Sequence, residues 1–209
     1  MKMMKKLAAL VMALALMVTA GAAMAAVVEP DDTDIEHFAG LTVNATVGAY
    51  DENSKTFKVT LYDFDRYDID DVERAQVGDI LLANGRLFKI TEKTENPSGE
   101  ILFKTDDGYE IYFEQVGEGL EARLTDDDRM LMHAFAVLDL PLADGAVYED
   151  NSDPDLESKA VTYTGLDEIL KIKKEKEETS IGFDFYSTVI NLNSNLEIER
   201  IHQNFDVAQ

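Results

Sequence analysis

Apolar and polar residues alternate with a period of two along most of this chain. Leu41, Val43, Ala45 and Val47 alternate with Thr42, Asn44 and Thr46. After a polar turn at 51–55, Phe57, Val59 and Leu61 alternate with Lys58 and Thr60. Such a period puts one set of side chains on each face of a strand, so the two runs predict a hairpin. A second hairpin is predicted where Asn84-Gly85 separates Ile80-Leu81-Leu82 from Leu87-Phe88-Lys89-Ile90. Asn-Gly accepts the positive φ angles of a tight type I′ turn. The stretch from Val77 to Ile90 resembles the strand pairs of many small β-barrels, without pointing to one family. A third hairpin turns at Asp106-Asp107-Gly108, with Tyr109, Ile111 and Phe113 on one face and Glu110, Tyr112 and Glu114 on the other. Leu120 to Leu124 reads as a further short strand.

Two segments depart from this period. Met130, Leu131, Ala134, Phe135 and Leu138 fit one helical face after a capping sequence at Thr125-Asp126-Asp127-Asp128. The surrounding β pattern and a near-continuous apolar run ending at Pro141 favour a buried strand there instead. Thr164-Gly165-Leu166-Asp167 predicts a helix start, with Leu166, Ile169 and Leu170 as its apolar face. Asp144 to Ser158 reads as a polar loop and Ala160 to Tyr163 as a short strand. A last hairpin is predicted from 181–192 and 196–205 around Asn193-Ser194-Asn195. Its apolar parity changes near Arg200, which predicts a bulge. The fold expected is mainly β: an antiparallel β-barrel or sandwich of about ten short strands, with one short helix near 165–177. It is read as one domain over 41–209, or as two small β units, 41–124 and 125–209. No internal repeat is visible.

The N-terminus follows a different pattern. Lys2, Lys5 and Lys6 precede an apolar run from Leu7 to Val18, and Ala23-Met24-Ala25 closes the segment with small residues. This order is that of a secretory signal peptide over 1–25, cleaved after Ala25, and its short basic start suggests a bacterial one. The competing reading is an uncleaved anchor. A span needs about 20 apolar residues, reached only if Thr19 to Val28 is added, and the alanine-rich end suits a peptidase better. No Cys follows the run, so a lipid-anchored form is excluded. Residues 26–40, with Glu29-Pro30-Asp31-Asp32, read as an acidic linker.

Charge sharpens the picture. The chain of 209 residues carries a formal charge of −23, from 19 basic and 42 acidic residues. Loss of three lysines with the signal leaves 16 against 42, a charge of −26. Such a surface repels phosphate backbones, so nucleic-acid binding is not expected, and it keeps an exported protein dispersed. There is no Cys, which removes disulfides, thiol nucleophiles and thiolate metal sites. An exported chain without disulfides must be held by its core. The three histidines, His37, His133 and His202, lie far apart in sequence and form no zinc spacing.

Two acidic segments have the oxygen-rich chemistry that Ca²⁺ requires. In the first, Asp63, Asp65, Asp68 and Asp70 are the candidate ligands, although the spacing is not that of an EF-hand. In the second, Asp153, Asp155 and Glu157 could face one way. Both also read as ordinary solvated loops. Tyr62, Phe64 and Tyr67 interleave with the first segment, and an acidic rim around aromatics would suit a small cationic ligand or a basic protein surface. Phe64 and Tyr67 could instead anchor the loop to the β core. No nucleophile elbow, phosphate loop or dinucleotide motif is present, and no catalytic residue is assigned. The leading expectation is a secreted, non-catalytic binding or structural protein of unknown ligand. The alternatives are a calcium-binding exported β-protein and a carboxylate-dependent hydrolase. The hydrolase would require a concave surface holding two carboxylates, one with a raised pKa.

Overall fold

A computed structural model describes residues 25–32, 38–96, 99–151, 161–178 and 188–204. Along the chain these form β1 (Val27–Val28), β2 (Thr42–Asp51), β3 (Thr56–Phe64), β4 (Arg66–Tyr67), α1 (Ile69–Arg74), β5 (Ile80–Ala83), β6 (Arg86–Glu95), β7 (Ile101–Thr105), β8 (Glu110–Val116) and β9 (Gly119–Leu124). They continue as β10 (Met132–Asn151), β11 (Val161–Thr164), α2 (Leu166–Glu178), β12 (Thr188–Leu192) and β13 (Ile198–Asn204). The protein is mainly β, as the alternation predicts. Among the described residues no helix is long and apolar enough to cross a membrane.

The strands form two compact units that do not follow a division near Leu124. The first comprises Met1–Asp32 and Phe64–His133; the second comprises Thr33–Asp63 and Ala134–Gln209. Both units are therefore discontinuous, and the chain alternates between them. Periodicity cannot reveal this, because alternation reports which face a residue takes and not which strand it pairs with.

The first unit is a seven-stranded sheet in the order β1-β5-β6-β7-β8-β9-β4. Its central hairpins are those the turns predict. At the β5–β6 turn, Asn84 and Gly85 have φ of 48° and 65°, as a type I′ turn demands. The interior holds Leu81, Ile90, Phe103, Ile111 and Phe113, with Val72 of α1. Phe103 and Phe113 meet edge to face, with ring centroids 4.9 Å apart.

The second unit is a six-stranded sheet in the order β11-β10-β13-β12-β2-β3, and β10 also pairs with β3. The order thus returns on itself through β10-β13-β12-β2-β3. Val43, Ala45, Val47, Phe57, Val59 and Leu61, the alternating residues of the first hairpin, line its interior beside Tyr148, Ile190, Ile198 and Ile201. Gly48 sits where β2 and β3 shift register, between Val47 and Tyr50. A Cβ at Gly48 would lie 2.8 Å from the backbone oxygen of Lys58, so only glycine allows this approach.

Several expectations are corrected. The sheets are not wholly antiparallel: β1 runs parallel to β5, and β10 parallel to β13. The strand expected to end at Pro141 continues to Asn151, taking in much of the segment read as a polar loop. Its ladder with β13 is interrupted between Leu142 and Val147, where Gly145 has φ of 74°. Residues 26–40 are not simply a linker, because Val28 and Phe38 are buried in the two cores. The parity change near Arg200 is a bulge: Asn191 faces Arg200, Leu192 faces Ile198, and Glu199 is skipped. The capping contact of α2 is displaced by one residue, since Glu168 Oε2 accepts from the backbone N–H of Thr164 at 2.8 Å. Residues 1–24 of the predicted signal segment, His37, residues 152–158 of the predicted loop, Ala160 and residues 181–187 of the predicted last hairpin lie outside the described residues.

Candidate functional site

The first acidic segment is not one loop. It contains the end of β3, all of β4 and the start of α1, and its aspartates serve different purposes. Asp68 caps α1, accepting from the backbone N–H of Asp70 at 2.8 Å. Asp70 lies 3.6 Å from Arg74 within the same short helix. Asp65 is fully buried; it accepts from the backbone N–H of Asn84 at 2.5 Å and meets His133 Nδ1 at 2.8 Å. Asp63 is half-buried on β3. Among the described residues no three acidic or histidine side chains converge as a metal-ligand group. Asp153, Asp155 and Glu157 lie outside the described residues.

The aromatic trio divides as well. Tyr62 is half-buried on β3, where its hydroxyl lies 3.4 Å from Thr46 Oγ1. Phe64 is half-buried at the end of that strand. Tyr67 has no exposed surface: its hydroxyl donates to the Leu82 carbonyl at 2.7 Å, and its ring meets Phe113 edge to face. Burial, with the Asp65 charge adding to it, pushes the Tyr67 phenol well above its ordinary range. Tyr67 is an anchor of the core and offers no face to a ligand.

The first unit carries a concave surface that the sequence did not indicate. It encloses about 380 Å³ and is lined by Ile69 and Glu73 of α1, Gly99, Glu100 and Ile101 at the start of β7, Phe113 to Gln115 of β8, and Leu120 of β9. Its lining combines the apolar Ile69, Ile101, Phe113 and Leu120 with the acidic Glu73, Glu100 and Glu114.

Local interactions hold this lining. The Lys93 ammonium donates to the carbonyls of Val72, Glu73 and Ala75, at 3.0, 2.6 and 3.0 Å. Three donors thus meet three carbonyls at the end of a six-residue helix that has few hydrogen bonds of its own. Burial lowers the Lys93 pKa, against the opposing pull of the Glu73 charge. At the other wall, Glu100 donates its backbone N–H to Asn96 Oδ1 at 2.9 Å, and its carboxylate accepts from the Asn96 side-chain amide. Glu114 lies 2.8 Å from Arg123 Nε. The alternation of Phe113 and Glu114 is visible in the sequence. Their meeting with α1 is not, because it depends on strand order.

A second, more open concavity of about 530 Å³ is lined by Asp31, Arg66, Asp68, Val116, Glu118 and Gly119. The backbone N–H of Asp31 donates to the Arg66 carbonyl at 2.7 Å. Desolvation first, then the charges of Asp68, Asp71 and Asp32, raise the Asp31 pKa. Arg66 is drawn to Glu121, whose carboxylate is almost buried and 3.0 Å away.

The second unit has its own carboxylate–histidine contact. Glu149 meets His202 Nδ1 at 3.0 Å and is also paired with Arg200. Hydrogen bonds from His202 and then Arg200 hold the Glu149 carboxyl below its usual range.

No family model matches the chain, and no curated protein or solved structure matches it. The fold and the concave surfaces define a mainly β, two-unit, cysteine-free protein.

Proposed function

We propose that this is an exported, non-catalytic binding protein whose first unit takes a small organic cation with an apolar stem. One observation carries the reading: Ile69, Ile101, Phe113 and Leu120 share the lining of a concavity of about 380 Å³ with Glu73, Glu100 and Glu114. That volume falls in the range of small-ligand sites. An alkylammonium group would bury its stem against the apolar residues and keep its charge against the carboxylates. The formal charge of −26 after loss of the N-terminal lysines would add long-range attraction for cations. Export rests on the basic start, the apolar run and the small-residue end of 1–25.

Calorimetric titration with 1,5-diaminopentane, against pentanol as the uncharged control, tests the proposal. Binding of the amine and not of the alcohol is expected, weakening with salt. Glu73→Gln and Glu114→Gln should each reduce affinity several-fold. Equal heats for amine and alcohol, or unchanged affinity in both variants, would overturn it.

A second reading has one observation in its favour. Asp31, with its raised pKa, shares a concavity with the carboxylate of Asp68, the arrangement required of a general acid beside a second carboxylate. A panel of nitrophenyl glycosides tests it: turnover abolished by Asp31→Asn would establish a hydrolase, and no turnover of any member would remove that reading.

A further inference from the structure

We propose that cleavage between Ala25 and Ala26 creates an α-ammonium group that the Asp79 carboxylate is already placed to receive. The inference rests on the export reading and is independent of the cationic ligand. Ala23-Met24-Ala25 puts the predicted scissile bond immediately before Ala26. In the fold, the backbone N–H of Ala26 donates to Asp79 Oδ1 at 2.9 Å. The Ala26 carbonyl accepts from the backbone N–H of Ile80 at 2.9 Å. Val27 and Val28 then pair in parallel with Ile80 and Leu81, and Val28 is buried. The first residue after the predicted cut is therefore held on both sides of its own backbone.

Asp79 is equally well held. Its second oxygen accepts from the backbone N–H of Gln76 at 2.9 Å, and its own N–H donates to the Gln76 carbonyl at 3.0 Å. The carboxylate stays fixed in its turn whatever happens to Ala26. A peptidase hydrolyses the amide by adding water across it. The hydroxyl oxygen bonds to the Ala25 carbonyl carbon, the C–N bond breaks, and the nitrogen ends with both protons of the water, giving an Ala25 carboxylate and an Ala26 ammonium. A neutral N–H facing Asp79 becomes a charged group with three donors. Charge-assisted hydrogen bonds are about twice as strong as neutral ones. Ala25 and Ala26 are exposed. Processing would thereby lock β1 onto the edge of the first unit's sheet.

The test begins with the full chain expressed in an exporting bacterial host. The mass of the exported product should correspond to a chain starting at Ala26. The melting midpoint of that product is then compared with the same chain N-α-acetylated at Ala26, each with Asp79 and with Asp79→Asn. Acetylation restores a single neutral amide N–H, as in the uncleaved chain, and removes the charge with the two added donors. Asp79→Asn is expected to lower the midpoint of the free-amine form by about 2–4 °C more than that of the acetylated form. A product starting at another residue, or equal losses in both forms, would overturn the proposal. If the Asp79→Asn chain does not fold, acetylation of the unsubstituted chain decides alone: a lower midpoint supports the ion pair, and an unchanged one overturns it.

Discussion

The fully buried carboxylate of Asp65 lies 2.8 Å from Nδ1 of His133, joining residues near the two ends of the Phe64–His133 segment of the first unit. Backbone bonds run alongside the pair: Asp65 N–H to the Leu131 carbonyl, Leu131 N–H to Ala122, and Ala122 N–H to Asp65. Asp65→Ala would remove the acceptor of both His133 and the Asn84 amide. Leaving those half-buried groups unpaired is expected to cost about 2–4 kcal/mol, read as a lower urea midpoint at unchanged slope.

Tyr67→Phe isolates the hydroxyl. The ring still packs against Phe113, while the Leu82 carbonyl loses its 2.7 Å partner. A loss of about 1–2 kcal/mol is expected, with binding of a small amine unchanged. Amine binding lost at unchanged stability would restore Tyr67 as a ligand residue.

Lys93→Met keeps most of the aliphatic stem and deletes the cap of α1. Three carbonyls lose a charged donor, so a loss of about 2 kcal/mol is expected. Amides of Asp71 to Ala75 should exchange faster than those of β7 and β8. Uniform protection across the unit would show that the ammonium does not hold the helix.

Glu149 gives the second unit an acid-dependent term. Its folded pKa lies below the ordinary value of 4.5, so the unfolded chain takes up a proton first as pH falls. The stabilisation is present in full above about 4.5 and disappears as pH drops through the folded value. Glu149→Gln should therefore lower the melting midpoint at pH 7 and flatten its fall between pH 5 and 3. Parallel curves for the two proteins would remove Glu149 as the cause.

Gly48→Ala introduces a Cβ at 2.8 Å from the Lys58 carbonyl oxygen, and that oxygen belongs to a paired strand. A loss of about 1–3 kcal/mol is expected from the forced shift. Gly85→Asn, at a turn with open space and φ of 65°, should cost less. Equal losses in denaturant melts would mean that the Gly48 contact is relieved by slight strand movement.

Much of the fold was legible because local rules were obeyed locally. Asn84-Gly85 encodes its turn in two residues. The parity change at Arg200 shows the bulge because a skipped residue must break a period of two. The helix in the first acidic segment was legible in retrospect: Asp68 at the cap, Asp70 and Asp71 in the first turn and Arg74 in the last match the helix dipole. It was masked by the density of aspartate, which suits a solvated loop equally well. Tyr67 left two readings open in the sequence, ligand face or core anchor, for a similar reason. Its neighbours are acidic, but β4 pairs with β9 and turns the ring inward.

The concave surface was not legible. Glu73, Glu100 and Glu114 are three of 42 acidic residues, and nothing in their sequence neighbourhoods marks them. They share a concavity because β7, β8 and β9 lie side by side and Lys93 ties down the end of α1.

The linear sequence alone determined the strands, their buried faces, the tight turns and the excess of negative charge. Each follows from the chemistry of neighbouring residues and a period of two. Tertiary structure decided that the chain alternates between two units, that Asp65 is buried against His133, and which carboxylates share a concave surface. Those outcomes depend on pairing between strands far apart in sequence, and the alternation within a strand carries no information about its partner.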